Sequence, residues 1–123
     1  MMEGTQVMTG TTLFRNTQEY QSHQAGHTIF KEGDSAEEMY VVIQGQVDIL
    51  IHGELIDTIG PDGILGEMAL IDDHIRSATA VAKTECKLVP INKKRFAFLV
   101  SETPFFALDV MKVMADRLRR RTA

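Results

Sequence analysis

The sequence has no tryptophan, one cysteine and three prolines in 123 residues. With Cys86 alone, an internal disulfide, a multi-cysteine zinc site and a cysteine-ligated iron–sulfur cluster are excluded, and a reducing compartment fits. Long hydrophobic runs are lacking too. The longest, Met39 to Ile43, falls far short of the roughly 20 apolar residues that a membrane-spanning helix requires. The opening MMEGTQVMTGTT has neither the basic start nor the apolar core of a secretory signal. Nor is there an excess of positive charge. The net charge is −4, which argues against a general binder of nucleic acid or membrane surfaces. These absences point to a cytoplasmic protein with no membrane or nucleic-acid partner.

What is present is the balance of an ordinary globular domain, with 44% hydrophobic and 24% charged residues. At this length a single domain with its own core is expected. Residues 1–19 are polar and Thr-rich, with Leu13 and Phe14 as the only anchors, and read as an N-terminal arm. From Tyr20 to Asn92 short β segments alternate with glycine breaks: HTIF (27–30), MYVVI (39–43), VDILI (47–51), ELIDTI (54–59), ATAVA (78–82) and CKLVPI (86–91). Val47, Ile49 and Ile51 keep a period of two, and Pro90 marks an edge or an end of the last strand. Many short strands with glycine turns and almost no intervening helix indicate an antiparallel sandwich or barrel. After Asn92 the period changes. Phe96, Leu99 and Val100 follow Asn92 as a potential N-cap, and a second helix begins with Thr103 and Pro104. Its apolar stripe is Leu108, Met111, Met114 or Ala115, and Leu118, widened by Phe105, Phe106, Val110 and Val113.

GEMALIDDHIRSATA (66–80) joins a glycine, a carboxylate, a short helix start, an arginine and a run of small residues. A helix start offers unpaired amides and the positive end of a dipole to an anion. Gly66 lets backbone approach closely. The amides of Met68, Ala69 and Leu70 could then face phosphate oxygens, and Arg76 adds a planar fork. Glu67 is suited to accept hydroxyl protons, as from a ribose. Ala78, Ala80 and Ala82 fall on one face of a strand and leave a low wall for a flat ligand. Phosphate, sugar hydroxyl and low wall together indicate a nucleotide.

ILGEMALIDDHIRSATA closely resembles the phosphate-binding cassette of cyclic nucleotide-binding domains, the family of protein kinase A regulatory subunits, the bacterial catabolite activator protein and cyclic nucleotide-gated channels. IFKEGDSAEEMYVVIQGQV (29–47) matches a second signature of that family through Phe30, Gly33, Asp34, Tyr40, Gly45 and Val47. The resemblance implies a mainly β fold: an eight-stranded antiparallel jelly-roll β-barrel over about 20–92, followed by C-terminal helices over about 93–121, in one domain spanning 20–123. Carried over residue by residue, it implies that Gly66, Met68 and Ala69 line the phosphate, with Leu65 just before them. Glu67 accepts from the ribose 2′-hydroxyl. Arg76 pairs with the cyclic phosphate, and Ser77 and Ala78 add backbone contacts. The implied ligand is cAMP, with cGMP open, since serine after the arginine occurs with either. The position that caps the base falls near Arg121 or Thr122. In many members the last helix continues into an effector; the sequence here stops at Ala123.

Plainer readings accompany these. Taken alone, Glu67 and Arg76 read as a surface ion pair worth under about 1 kcal/mol. His23, His27, His52 and His74 lack a paired ligand pattern and read as structural or surface residues, so no metal is expected. Cys86 reads as core. Met111 and Met114 read either as core or as part of a homodimer or effector contact through residues 105–118. RLRRR (117–121) reads as cations complementing a helix C-terminus. No nucleophile–base pair is evident, so the expected function is a regulatory sensor and not an enzyme. The alternative is a jelly-roll interaction domain that takes another phosphorylated ligand or only a protein partner.

Overall fold

The computed structural model describes Phe14, residues 17–71 and residues 75–122, the side chains of the last two excepted. Most of the arm expected over 1–19, including Leu13, lies outside the described residues. The chain order is β1 (Gln21–His23), β2 (Thr28–Phe30), β3 (Glu38–Gln44), β4 (Val47–Ile51), β5 (Glu54–Ile59), β6 (Ile64–Leu65), α1 (Met68–Ile71), β7 (Thr79–Ala82), β8 (Cys86–Asn92), α2 (Lys93–Glu102) and α3 (Pro104–Thr122). The strands form two four-stranded antiparallel sheets, ordered β1-β8-β3-β6 and β2-β7-β4-β5. This is the mainly β jelly-roll architecture with C-terminal helices. The strands β1 and β6 are only three and two residues long; neither carries enough alternation to be read from sequence.

The apolar run Met39 to Ile43 lies in β3, which is buried on both faces, as unbroken hydrophobic strands usually are. Tyr40 and Val42 point into the core between the sheets, with Val47, Ile49, Ile59, Leu65, Ala80, Ala82, Cys86 and Leu88. Met39 and Val41 point the other way, into a second cluster with Phe14, Ile64, Leu70, Val89, Ile91, Phe106 and Val110. That second cluster is where α3 docks. Of the two apolar stripes read on this helix, one is outside and one packs: Leu108 and Met111 are each 55% exposed, while Phe106 and Val110 are buried. Phe106, Val110 and Val113 also recur at helical spacing, so two apolar faces compete in this segment, and the bulkier Phe106 fills the space beside Phe14 and Phe96.

Local signals hold at several ends. Asn92 caps α2, its Oδ1 accepting from the Arg95 amide at 2.8 Å. Pro104 is the first residue of α3. Pro90 sits inside β8 and pairs with Tyr40 of β3, whereas pairing with β1 stops at Leu88. Beyond Leu88 one side of β8 is therefore an edge, where a missing N–H is tolerated. Gly45 turns β3 into β4 at φ 85°, and a Cβ there would lie 2.2 Å from the Glu85 carbonyl oxygen and 2.6 Å from the Cys86 Cβ. Gly45→Ala is therefore expected to lose at least about 2 kcal/mol of stability from backbone strain plus overlap; an unchanged denaturation midpoint would show that this turn has room to relax.

Candidate ligand-binding site

A cavity of about 710 Å³ opens between the inner wall of β4 and β5, the segment around α1, and the last turns of α3. Its wall is mostly apolar: Phe30, Ile49, Ile51, Ile56, Ile59 and Leu65 from the β roll, and Met114 and Leu118 from α3. The polar side chains set into this wall are Asp57, Glu67, Arg76, Ser77, Arg117 and Arg120. A mainly apolar hollow with a few placed polar groups is the usual form of a small-molecule site.

Arg76 is positioned by the stretch that precedes β3. The turn after β2 places Gly33 at φ 89°. Its amide donates to the Arg76 carbonyl at 2.8 Å, and the Arg76 amide donates to the Asp34 carbonyl at 2.8 Å. The guanidinium lies over the Phe30 ring at 4.0 Å and 5.7 Å from the Tyr40 centroid, and donates to the Gly66 carbonyl at 3.3 Å. The residue is buried. Burial pushes the guanidinium below its ordinary value, opposed by Tyr40, Glu38 and Asp34. Among the described residues, no carboxylate oxygen lies within ion-pair distance of it. Gly66 has φ 77°, and a Cβ on it would stand 2.5 Å from Arg76 Nη1. The backbone conformation thus calls for glycine there, and a side chain would displace the guanidinium alongside.

Glu67 is 3% exposed. Its Oε2 accepts from Arg117 Nη1 at 2.5 Å, and Arg117 Nη2 donates to the Ile64 carbonyl at 2.6 Å. Its Oε1 is buried and has no hydrogen-bond partner among the described residues. A buried acceptor without a partner costs about 1–3 kcal/mol. Glu67 and Arg76 are therefore not a surface ion pair: the partner of Glu67 comes from α3. One turn further on, Arg120 reaches Asp57 of β5 at 3.1 Å. Arg119 pairs with Asp116 on its own helix. The described arginines of the RLRRR run, Arg117, Arg119 and Arg120, thus have three different partners. Arg117, Arg120 and Asp57 were not singled out in the sequence. The available signal was that their charges fall on an otherwise apolar repeat, which only the docking of α3 makes interpretable.

Of the residues expected at the site, Leu65, Gly66, Glu67, Met68, Arg76, Ser77 and Ala78 line the cavity. Ala69 does not. It is 2% exposed and its amide donates to the Gly66 carbonyl at 3.3 Å, while the Leu70 amide donates to the Glu67 carbonyl at 3.1 Å. Those two amides close the turn that forms α1. Of the alanines read as a low wall, only Ala78 reaches the cavity; Ala80 and Ala82 are in the core between the sheets. The side chains of Arg121 and Thr122, and His74, lie outside the described residues. Among the described residues no cluster of three metal-ligating side chains occurs, and no helix is long and apolar enough to cross a membrane.

Comparison with known proteins bears on the same segments. The family model of the cyclic nucleotide-binding domain matches residues 20–103. A CRP-like cAMP-activated global transcriptional regulator of Mycobacterium tuberculosis is 29% identical over 100 residues, covering 77% of this chain and 45% of the relative. The chain thus spans less than half the length of that curated relative. Among solved structures, the catabolite activator protein of Thermus thermophilus superposes with a TM-score of 0.76 at 28% identity, over 92% of this chain and 55% of that one. A bacterial protein described with a cyclic-GMP-dependent signalling pathway in phytopathogenesis gives 0.75 at 26% identity, over 93% and 95%. With the family match covering more than half of the sequence, and the cavity formed by the matched segments together with the helix that follows them, the chain belongs to the cyclic nucleotide-binding domain family.

Proposed function

We propose that the chain is a sensor module that takes a cyclic nucleoside monophosphate, cAMP or cGMP, into this cavity and relays occupancy through α2 and α3. The observation that carries the reading is Glu67: a buried carboxylate with one oxygen held by Arg117 and the other without a partner, in the same cavity as the buried cation Arg76. On this reading Arg76 takes the phosphate in a charge-assisted, water-poor contact, where such bonds are strongest. Gly66, Met68, Ser77 and Ala78 supply the surrounding surface, and Glu67 Oε1 accepts from the ribose 2′-hydroxyl. Phe30, Ile49, Ile59 and Leu118 provide apolar surface for the base.

Relay requires that the ligand prefer one placement of α3. A hundredfold preference corresponds to about 2.7 kcal/mol, enough to move a near-balanced two-state hinge. The output surface is the outer face of α3. Leu108 and Met111 lie there three residues apart, and Ala115 and Leu118 carry the same row on, at intervals of four and three residues, to the rim of the cavity, the spacing of a left-handed helix pair. Leu108, Met111 and Leu118 are exposed. The matching partner for such a row is the same row on a second copy of the chain.

Calorimetric titration with cAMP and cGMP is expected to show micromolar or tighter binding, and Arg76→Ala to lose roughly 2–5 kcal/mol of it. Wild-type affinity in that variant removes the phosphate assignment. Gly66→Ala is expected to weaken binding while leaving the circular dichroism spectrum unchanged, because its Cβ displaces the Arg76 guanidinium. Undiminished affinity there means that the arginine does not need this approach. Sedimentation at rising concentration is expected to show a dimer; a monomer both with and without nucleotide removes the second copy as partner.

A further inference from the structure

Four of the polar side chains around the cavity are accounted for by a phosphate and a ribose: Arg76, Ser77, Glu67 and Arg117. Two are not. Asp57 and Arg120 face each other across the cavity mouth, Arg120 Nη2 donating to Asp57 Oδ2 at 3.1 Å. Arg120 lies three residues after Arg117, on the same face of α3 and about 4.5 Å further along its axis.

The placement of Asp57 is unusual for a strand. In the β4–β5 ladder, Val47 is opposite Ile59 and Ile49 is opposite Asp57. Directly opposed residues share a face of the sheet. Val47, Ile49 and Ile59 are buried in the core between the sheets, so Asp57 is a carboxylate on the inward, apolar face. The outward face has its own polar pair, Thr58 donating to Asp48 at 2.8 Å. Alternation therefore puts an acid where an apolar residue belongs, beside the cavity. A simple helix anchor would not need this: Arg117 already ties α3 to Glu67 and to the Ile64 carbonyl. An ion pair as exposed as Asp57–Arg120 adds little stability.

We propose that Asp57 and Arg120 read the edge of the base and favour guanine over adenine; this rests on the reading of the cavity as a cyclic nucleotide site. Asp57 Oδ1 accepts from the Thr58 amide at 2.9 Å, and each carboxylate oxygen retains a further lone pair. Guanine presents two adjacent donors, N1–H and the 2-amino group, which match the two oxygens of a carboxylate. Its O6 and N7 acceptors match a guanidinium. The Asp57–Arg120 pair offers both halves of that pattern side by side. Adenine gives the carboxylate one donor, its 6-amino group, and turns the acceptor N1 toward the same oxygens.

The test is calorimetric titration of the full chain with cGMP, cAMP and the cyclic inosine monophosphate, which keeps O6 and N1–H but lacks the 2-amino group. The wild type is expected to bind cGMP at least about tenfold more tightly than cAMP, the discrimination typical of a good bidentate base contact, with the inosine nucleotide between them. Asp57→Asn and Arg120→Ala are each expected to compress the cGMP to cAMP ratio, the first by at least about tenfold. Preference for cAMP, equal binding of the two nucleotides, or an equal loss of both in Asp57→Asn overturns the proposal and leaves the pair as a helix anchor. If neither variant folds, the three wild-type affinities decide alone. Failure of the wild type to bind any of the nucleotides removes the reading of the site itself; binding without discrimination removes only the base assignment.

Discussion

The site is organised around a cation taken out of water. Removing a guanidinium from solvent is costly unless its charge is answered. Around Arg76 the described residues answer it with an aromatic face at 4.0 Å, a second ring further off, one carbonyl oxygen and, beyond ion-pair distance, the carboxylates of Glu38 and Asp34. Each of these imposes a condition elsewhere in the chain. Phe30 and Tyr40 must stack, at 6.2 Å between ring centroids, so β2 and β3 must bring the two sheets together at that end. The turn after β2 must reach φ 89° at Gly33 for its amide to meet the Arg76 carbonyl. Gly66 must lack a side chain for the guanidinium to pass. Two motifs far apart in sequence thus serve one charge. On the proposed reading, an anion brought to that charge gains from its burial, since attraction grows as local dielectric falls.

The second constraint is the attachment of α3. Its apolar side, Phe106 and Val110, packs on the outer face of the β1-β8-β3-β6 sheet, which fixes the helix axis. Its last turns then lean over the cavity, where Arg117 and Arg120 reach two different walls. The two contacts are unequal. The side chains of Arg117 and Glu67 are 24% and 4% exposed, those of Arg120 and Asp57 58% and 26%. Screening by solvent weakens the outer pair far more than the inner one. Arg117 is therefore the anchor.

Legibility in the sequence followed the range of the interactions concerned. The strands with five or more residues and clear alternation, the N-cap Asn92 and the start of α3 at Pro104 depend on neighbours in sequence, and local pattern revealed them. The cassette and its upstream companion were legible because glycines and one arginine at fixed spacing state a backbone path. The partner of Glu67 was not legible: Arg117 lies fifty residues away and looks like one cation in a basic run. Asp57 was hidden for the opposite reason. A single acid in ELIDTI reads as the polar half of an alternating strand, and only the register with Ile49 shows that it points inward. The packing face of α3 stayed open in the sequence because two apolar stripes share the helix, and the choice between them is made by the shape of the sheet.

Glu67 joins these constraints. One of its oxygens is occupied by the helix and the other is left for something else. On the proposed reading, a ribose hydroxyl on Oε1 and the guanidinium on Oε2 bind the same carboxylate without competing for one lone pair. A hydroxyl donor draws charge from the carboxylate, but it also ends the desolvation cost of the orphan oxygen and fixes the side-chain rotamer that Arg117 needs. The ordering entropy of Glu67 is then lost once for two contacts, which makes them cooperative. Such coupling is reciprocal. Whatever holds α3 in its docked position, including a second copy against Leu108 and Met111, raises affinity in the cavity by the same factor by which the ligand favours docking. On that reading the module needs no separate lever between pocket and surface, because the helix proposed to present the surface carries Arg117, which holds Glu67 at the pocket.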